Sequence, residues 1–184
     1  KQIKDAKQLD GNDFVDSYNN LIREVDELPI SQPTRHKAKQ ELKTLHSRVR
    51  SVQKDAASSR KDHVLEQARV IADLDENIIV ATISGADKDS MMTALDSIRS
   101  KRPDGAVILF TADMEESKVI IVAGVSKAMI TKGLKAGDWV REAAKKCGGS
   151  GGGRPDTAQA GGKEPENVPV AMNRATQYAK EVTQ

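Results

Sequence analysis

The chain has 184 residues, a formal net charge of +2, 30% charged and 3% aromatic residues, and one cysteine. That length suits one ordinary domain, or a compact domain with a helical extension. No run approaches the ~20 apolar residues of a membrane span and no basic-then-apolar leader opens the sequence. The lone Cys147 cannot form an internal disulfide, so the expectation is a soluble protein of a reducing compartment with no membrane partner.

The small net charge hides a strong asymmetry. Residues 1–28 carry four basic and seven acidic side chains, residues 33–61 nine and two, and residues 127–163 eight and three. Two basic zones in a nearly neutral chain point to an anionic partner or to solvated helix surface.

The first third reads as a helical hairpin. Phe14, Tyr18, Leu21, Val25 and Leu28 alternate spacings of four and three, the seam of a helix facing one partner. Asn12 or Asp13 is placed to cap it, and Gly11 argues against an unbroken helix back to Lys1. Pro29 and Pro33 bracket a short turn, with Pro33 suited to the first turn of the next helix. Leu42, Leu45, Val49, Val52 and Ala56 then repeat the seam. An acidic helix followed by a basic one is expected to pack antiparallel. The second helix continues through residues 63–72, where the apolar face rotates to Val64, Ala68 and Ile71, and the domain boundary is placed at 62.

Past Asp75 the period changes. Residues 77–84, 106–111 and 118–124 are β-branched apolar runs of strand length. Met91, Met92, Leu95 and Ile98 mark a helix between the first two, and Asp113–Ser117 a turn between the last two. Strand, helix, strand, turn, strand predicts a parallel pair plus a hairpin. Asp138 is expected to cap a helix of Trp139, Val140, Ala143 and Ala144 ending at Cys147. A last helix covers 167–182, with Val168, Ala171, Ala175 and Ala179 on one face. The fold class is α+β, a mixed-sheet globular domain (63–184) preceded by a long antiparallel helical hairpin (1–62).

Catalytic candidates are poor. His36, His46 and His63 all fall in the helical part, and no close His, Asp or Glu cluster accompanies the single cysteine, so neither a catalytic nor a metal site is expected. Cys147 sits at a helix C-terminus, where the dipole raises a thiol pKa. The run from Cys147 to Lys163 is different. Its glycines are interrupted by Arg154, Pro155, Asp156 and Gln159, side chains of directed contact that a flexible linker lacks. It has neither the Gly-Lys-Ser/Thr ending of a P-loop nor a preceding strand.

Two readings stay open for this run: a shaped loop offering amides and a guanidinium to an anion, or a structural turn that packs the last helix. On the first reading, Arg154, Lys163, Lys145 and Lys146 neutralise phosphates while Asp156 and Gln159 fix the loop or touch riboses and bases. Trp139 is a candidate for base stacking, the other aromatics being assigned to core.

The stretch Gly151-Gly152-Gly153-Arg154-Pro155-Asp156-Thr157-Ala158-Gln159-Ala160-Gly161-Gly162 closely resembles the signature of the DHHA1 domain, found at the C-terminus of alanyl-tRNA synthetases and of DHH-type phosphoesterases. Lys132–Val140 resembles the same domain in the synthetases. The likeness covers 75–184, and 12–74 by pattern.

The resemblance implies a non-catalytic C-terminal domain of a eukaryotic cytoplasmic synthetase. Such a domain binds the outer corner of tRNA, with alanine-specific tRNA as partner, and couples aminoacylation to editing. It implies no cofactor for this chain, with ATP, magnesium and an editing-site zinc belonging to regions that precede it. Carried over by position, Gly151, Gly152, Gly153, Arg154, Asp156, Gln159, Gly161, Gly162 and Lys163, with Lys132, Lys135, Lys145 and Lys146, are the candidate RNA contacts. The alternatives are a diverged DNA-binding or protein-interaction module, including a homodimer through the helical arm, and the nucleic-acid-gripping domain of a phosphoesterase.

Overall fold

A computed structural model describes residues 2–6, 8–27, 29 and 31–183. The chain divides into two compact units, residues 1–59 and 60–184.

The first unit holds α1 (Gln2–Ala6), α2 (Gly11–Glu27) and most of α3 (Gln32–Ala72). The helix does not run back unbroken from α2, and Gly11 itself opens it with φ of +60°. Asn12 and Asp13 therefore lie in the first turn and are not its cap. Phe14, Tyr18, Leu21 and Val25 on α2 bury against Leu42, Leu45 and Val49 on α3, the spacing expected of two facing seams. Leu28, the last residue of the predicted seam, lies outside the described residues. Acidic α2 meets basic α3 antiparallel: Lys39 pairs with Asp26 at 2.6 Å, and Arg48 with Asp10, the residue just before α2. Arg48 also lies over the Phe14 ring, 4.5 Å from its centroid. Tyr18 Oη and His46 Nδ1 are 3.2 Å apart. All three histidines are exposed.

The second unit begins in the last turns of α3, whose Val64, Ala68 and Ile71 are buried as the rotated apolar face requires. β1 (Ile78–Thr82), α4 (Lys88–Lys101), β2 (Ala106–Asp113) and β3 (Lys118–Val125) follow. β1 runs parallel to β2, and β2 antiparallel to β3, the predicted parallel pair and hairpin. Asp87 caps α4, its carboxylate accepting the Ser90 amide at 2.8 Å, so the helix starts earlier than the Met91 periodicity indicates. α5 (Lys127–Thr131), capped by Ser126, was not expected from the sequence. α6 (Ala136–Lys146), β4 (Ser150–Gly153), β5 (Thr157–Gly162) and, after a 3-10 turn at Pro165–Asn167, α7 (Val168–Thr183) complete the chain.

The five strands lie in the order β1-β2-β3-β5-β4. Alternation along β2 divides two cores. Ala106, Ile108 and Phe110 face α6 and α7, whereas Val107 and Leu109 face α4 and the end of α3. Each fully buried Val, Leu, Ile or Phe side chain among them contributes about 1.5–3 kcal/mol of transfer free energy. Val168, Ala171, Ala175 and Ala179 form the buried face of α7, and these small residues let it approach α6 closely enough to enclose Trp139. Among the described residues, no helix is long and apolar enough to cross a membrane.

Candidate nucleic-acid interface

The glycine-rich run is a β-hairpin, not a loop. Gly151, Gly152 and Gly153 pair with Ala160, Gln159 and Ala158, and β5 pairs in turn with β3. The amides of β5, paired on both sides, are committed to the sheet, whereas β4 is an edge strand whose alternate amides point away from β5. The hairpin follows directly from the end of α6. There Cys147 caps the helix, Gly148 takes φ of +61°, and the Gly149 amide donates back to Ala144 O at 3.0 Å.

Most of the glycines are demanded by packing. A Cβ at 153 would lie 2.6 Å from Ala158 Cα, and one at 162 would lie 2.7 Å from Cys147 Cβ. Positions 149 and 151 would collide with Gly161 and Ala160. On α6, Gly137 brings the helix against the Gly153 backbone, its would-be Cβ 3.0 Å from Gly153 O. Gly152 and Gly161 are different. A Cβ there would meet nothing nearer than Arg141 Nη2 at 3.5 Å and Val119 O at 3.7 Å respectively.

Register explains this split. Ala158 and Ala160 point into the α6 core, so Thr157, Gln159 and Gly161 point the other way. Gln159 pairs with Val122, whose side chain packs on the α4 side, so it shares that face. α4 packs on β2 and β3 and reaches β5 at Thr157 through Arg99, and farther along the strand Gln159 and Gly161 are exposed. The result is a shelf almost free of side chains, formed by Gly152, Gln159 and Gly161, with the Arg154–Asp156 turn at one end.

That turn is held firmly. The Ala136 amide donates to Pro155 O at 2.8 Å, the Val125 amide to Asp156 O at 2.8 Å, and the Arg154 amide to Thr157 O at 2.9 Å. Arg154 is exposed, and among the described residues its guanidinium makes no ion pair. The Asp156 carboxylate accepts from the Thr157 hydroxyl at 3.4 Å.

The predicted basic residues do not converge. Lys135 precedes α6 beside the turn, with Lys132 three residues earlier, whereas Lys145 and Lys146 end the helix and Lys163 donates its amide to Cys147 O at the hairpin base. The eleven residues of α6 separate the two groups by about 16 Å of helical rise. Lys145 is also engaged, pairing with Glu142 at 2.6 Å. Glu142 further accepts from Arg174 Nη2 at 3.2 Å, and Lys145 and Arg174 together hold its carboxyl below the ordinary glutamate value.

Three further expectations resolve here. Asp138 sits within the first turn of α6 and pairs with Arg141 at 2.9 Å, while the helix starts after Lys135 with no side-chain cap. Trp139 is fully buried, its Nε1–H donating to Ala175 O at 2.8 Å, so it offers no ring to a base. Cys147 is buried, and desolvation first, then the Glu164 charge, push its thiol up. No group of three or more His, Cys, Asp or Glu among the described residues could hold a metal ion.

Sequence reasoning did not single out Arg99 and Arg141. Arg141 lay unremarked in the second basic zone. Arg99 had no local signal, since only the fold brings α4 to β5.

Residues 75–181 match the DHHA1 domain family. The chain is 45% identical over 106 residues to the alanine–tRNA ligase of Halalkalibacterium halodurans, covering 58% of this chain and 12% of that protein. It is 32% identical over 171 residues to the alanine–tRNA ligase of a Synechocystis species, covering 90% of this chain and 19% of that protein. Among solved structures it is similar to the C-Ala domain from Aquifex aeolicus alanyl-tRNA synthetase, with 27% identity and a TM-score of 0.47 over 56% of this chain and 87% of that one. The chain spans less than a fifth of the length of these two curated relatives.

Proposed function

The chain belongs to the DHHA1 domain family, and from that premise we propose that it is the C-terminal tRNA-binding domain of an alanine–tRNA ligase. In this reading it is a non-catalytic module of a cytoplasmic enzyme. It grips the outer corner of tRNA and so couples aminoacylation to editing, while the sites for ATP, magnesium and zinc lie in other parts of the ligase. The observation that carries the reading is the open shelf of Gly152 on β4 and Gln159 and Gly161 on β5, with exposed Arg154 at its end. A flat surface almost without side chains admits close approach of a sugar–phosphate backbone, and a guanidinium beside it supplies the countercharge. The likeness to named alanine–tRNA ligases supports this assignment over the phosphoesterase alternative.

The test is a salt-dependent gel shift of the whole chain with alanine-specific tRNA, a second tRNA and duplex DNA. The expected result is preferential binding of tRNA that weakens steeply with salt. Equal weak binding of all three ligands would reduce the interface to a nonspecific basic patch. Tighter binding of the duplex would favour the DNA-binding alternative.

A second reading, self-association through the helical hairpin, is favoured by a groove of about 310 Å³ between α2 and α3. Tyr18, Ile22, Val25 and Leu42 line it together with Asp26, Lys39, Lys43 and His46, and Ile22 is 39% exposed. Sedimentation of the full chain beside its Ile22→Glu variant separates the cases: a dimer lost in the variant supports it, and a monomeric parent rejects it.

A further inference from the structure

Arg99 sits on α4, outside the glycine-rich run, yet its side chain reaches the shelf. The stem crosses Gly124 so closely that a Cβ at 124 would lie 2.6 Å from Arg99 Cδ and 3.2 Å from Nε. Gly124 pairs with Thr157, and Arg99 Nη1 donates to Thr157 Oγ1 at 2.9 Å. The same Thr157 carries the backbone oxygen that accepts the Arg154 amide at 2.9 Å. One residue therefore ties the two arginines to the same end of the shelf, next to exposed Gln159.

The electrostatic setting of Arg99 differs from that of the half-buried Arg102 and Arg174. It is half-buried, but among the described residues no carboxylate forms an ion pair with it. Arg102, one turn fragment away, has Asp75, and Arg174 has Glu142 and Glu181. Its partner is a hydroxyl that itself donates to the Asp156 carboxylate at 3.4 Å, so the guanidinium, taken partly out of water, meets a negative charge only through a relay and favours a directly bound anion. Its fork has donors beyond the Nη1 hydrogen that Thr157 uses, and a planar fork matches two phosphate oxygens.

We propose that Arg99, oriented by Thr157 across the Gly124 gap, is a phosphate-binding residue of the shelf and receives a backbone phosphodiester of the bound RNA. This rests on the reading of the chain as a tRNA-binding domain. It makes the face shared by α4 and β5 the docking face, with Arg99 and Arg154 bracketing the strand near Thr157. Gly124 then serves as the slot that lays the Arg99 stem flat, and Thr157 as its positioning residue.

The test measures tRNA affinity of the full chain against salt concentration for the parent, Arg99→Lys, Arg99→Gln and Gly124→Ala, with thermal unfolding of each. Loss of one phosphate contact lowers the slope of log K against log salt by about one. Arg99→Gln is expected to show that lower slope and roughly tenfold weaker binding at low salt, while Arg99→Lys retains the slope with weaker affinity. Gly124→Ala keeps the charge but displaces the stem, and is expected to weaken binding several-fold. A structural tie between α4 and β5 would move the unfolding temperature and leave the slope alone. If the parent binds tRNA and Arg99→Gln matches it in slope and affinity, the role assigned to Arg99 is wrong while the functional reading stands. If the parent shows no salt-dependent tRNA binding, both fall.

Discussion

Gly162 packs so tightly on Cys147 that an added Cβ would lie 2.7 Å from both the Cβ and the carbonyl oxygen of that cysteine. One residue earlier, at Gly161, a Cβ would meet only Val119 O at 3.7 Å. Neighbouring glycines of one strand thus have opposite tasks. Gly162→Ala should destabilise the domain by about 1–3 kcal/mol through overpacking. Gly161→Ala should leave stability unchanged or raise it by about 0.4–1 kcal/mol through the unfolded chain, yet weaken tRNA binding several-fold by placing a methyl on the shelf. Urea unfolding and gel shifts on both variants check this, and equal destabilisation by the two would refute the division of roles.

How far the sequence reaches is clear from this strand. β2 and β3 were legible because β-branched runs of strand length lie between strong breakers, Pro103–Gly105 before and Asp113–Ser117 between. The α2 and α3 seams were legible from spacing alone. β4 and β5 were not, because a Ser-Gly-Gly-Gly strand has no hydrophobic alternation to read and owes its conformation to its neighbours. The distinction between Gly161 and Gly162 depends on which side of the sheet carries α6, information held in residues far away in the chain. Arg99 is hidden for the same reason: 58 positions separate it from Thr157.

Trp139 is a core residue with one polar obligation. Its Nε1–H donates to Ala175 O at 2.8 Å within a fully buried contact between α6 and α7. Trp139→Phe removes that bond and part of the filled volume, and is expected to cost about 1–3 kcal/mol in thermal or urea unfolding. Affinity for tRNA, measured well below the unfolding temperature, should stay unchanged. A specific loss of binding in a fully folded variant would return this ring to the interface.

Glu142 sets an acid dependence. Hydrogen bonds from Lys145 and Arg174 hold its carboxyl below the ordinary value of 4.5. A depressed folded-state pKa means stabilisation that is present above the unfolded-state pKa and lost as pH falls through the folded one. Glu142→Gln should therefore be less stable than the parent at pH 7 by about 0.2–1 kcal/mol, a small value because the pair is partly solvated. The gap should close as the pH drops below about 4. Unfolding temperatures of both proteins between pH 7 and pH 3 give the answer, and a gap that persists at the acid end would contradict the linkage.

Arg154 projects from a turn whose backbone is tied to α6, β3 and β5, so its side chain can be removed at little structural cost. Arg154→Ala is expected to weaken tRNA binding by about 1–3 kcal/mol with no change in unfolding temperature. Unaltered binding by that variant would remove Arg154 from the interface.

The position of α7 has a consequence for how the domain comes into being. Its alanine face roofs Trp139, and it packs on β1 and β2, the strands made earliest in the second unit. Until residues 168–183 have left the ribosome, Ile108, Phe110 and Trp139 have no cover on that side. Synthesis therefore passes through a period when the sheet is assembled but still adhesive, a state prone to capture by chaperones or by other nascent chains. Substitutions that enlarge Ala171 or Ala175 should act first on the yield of folded protein, before any effect on RNA is measurable.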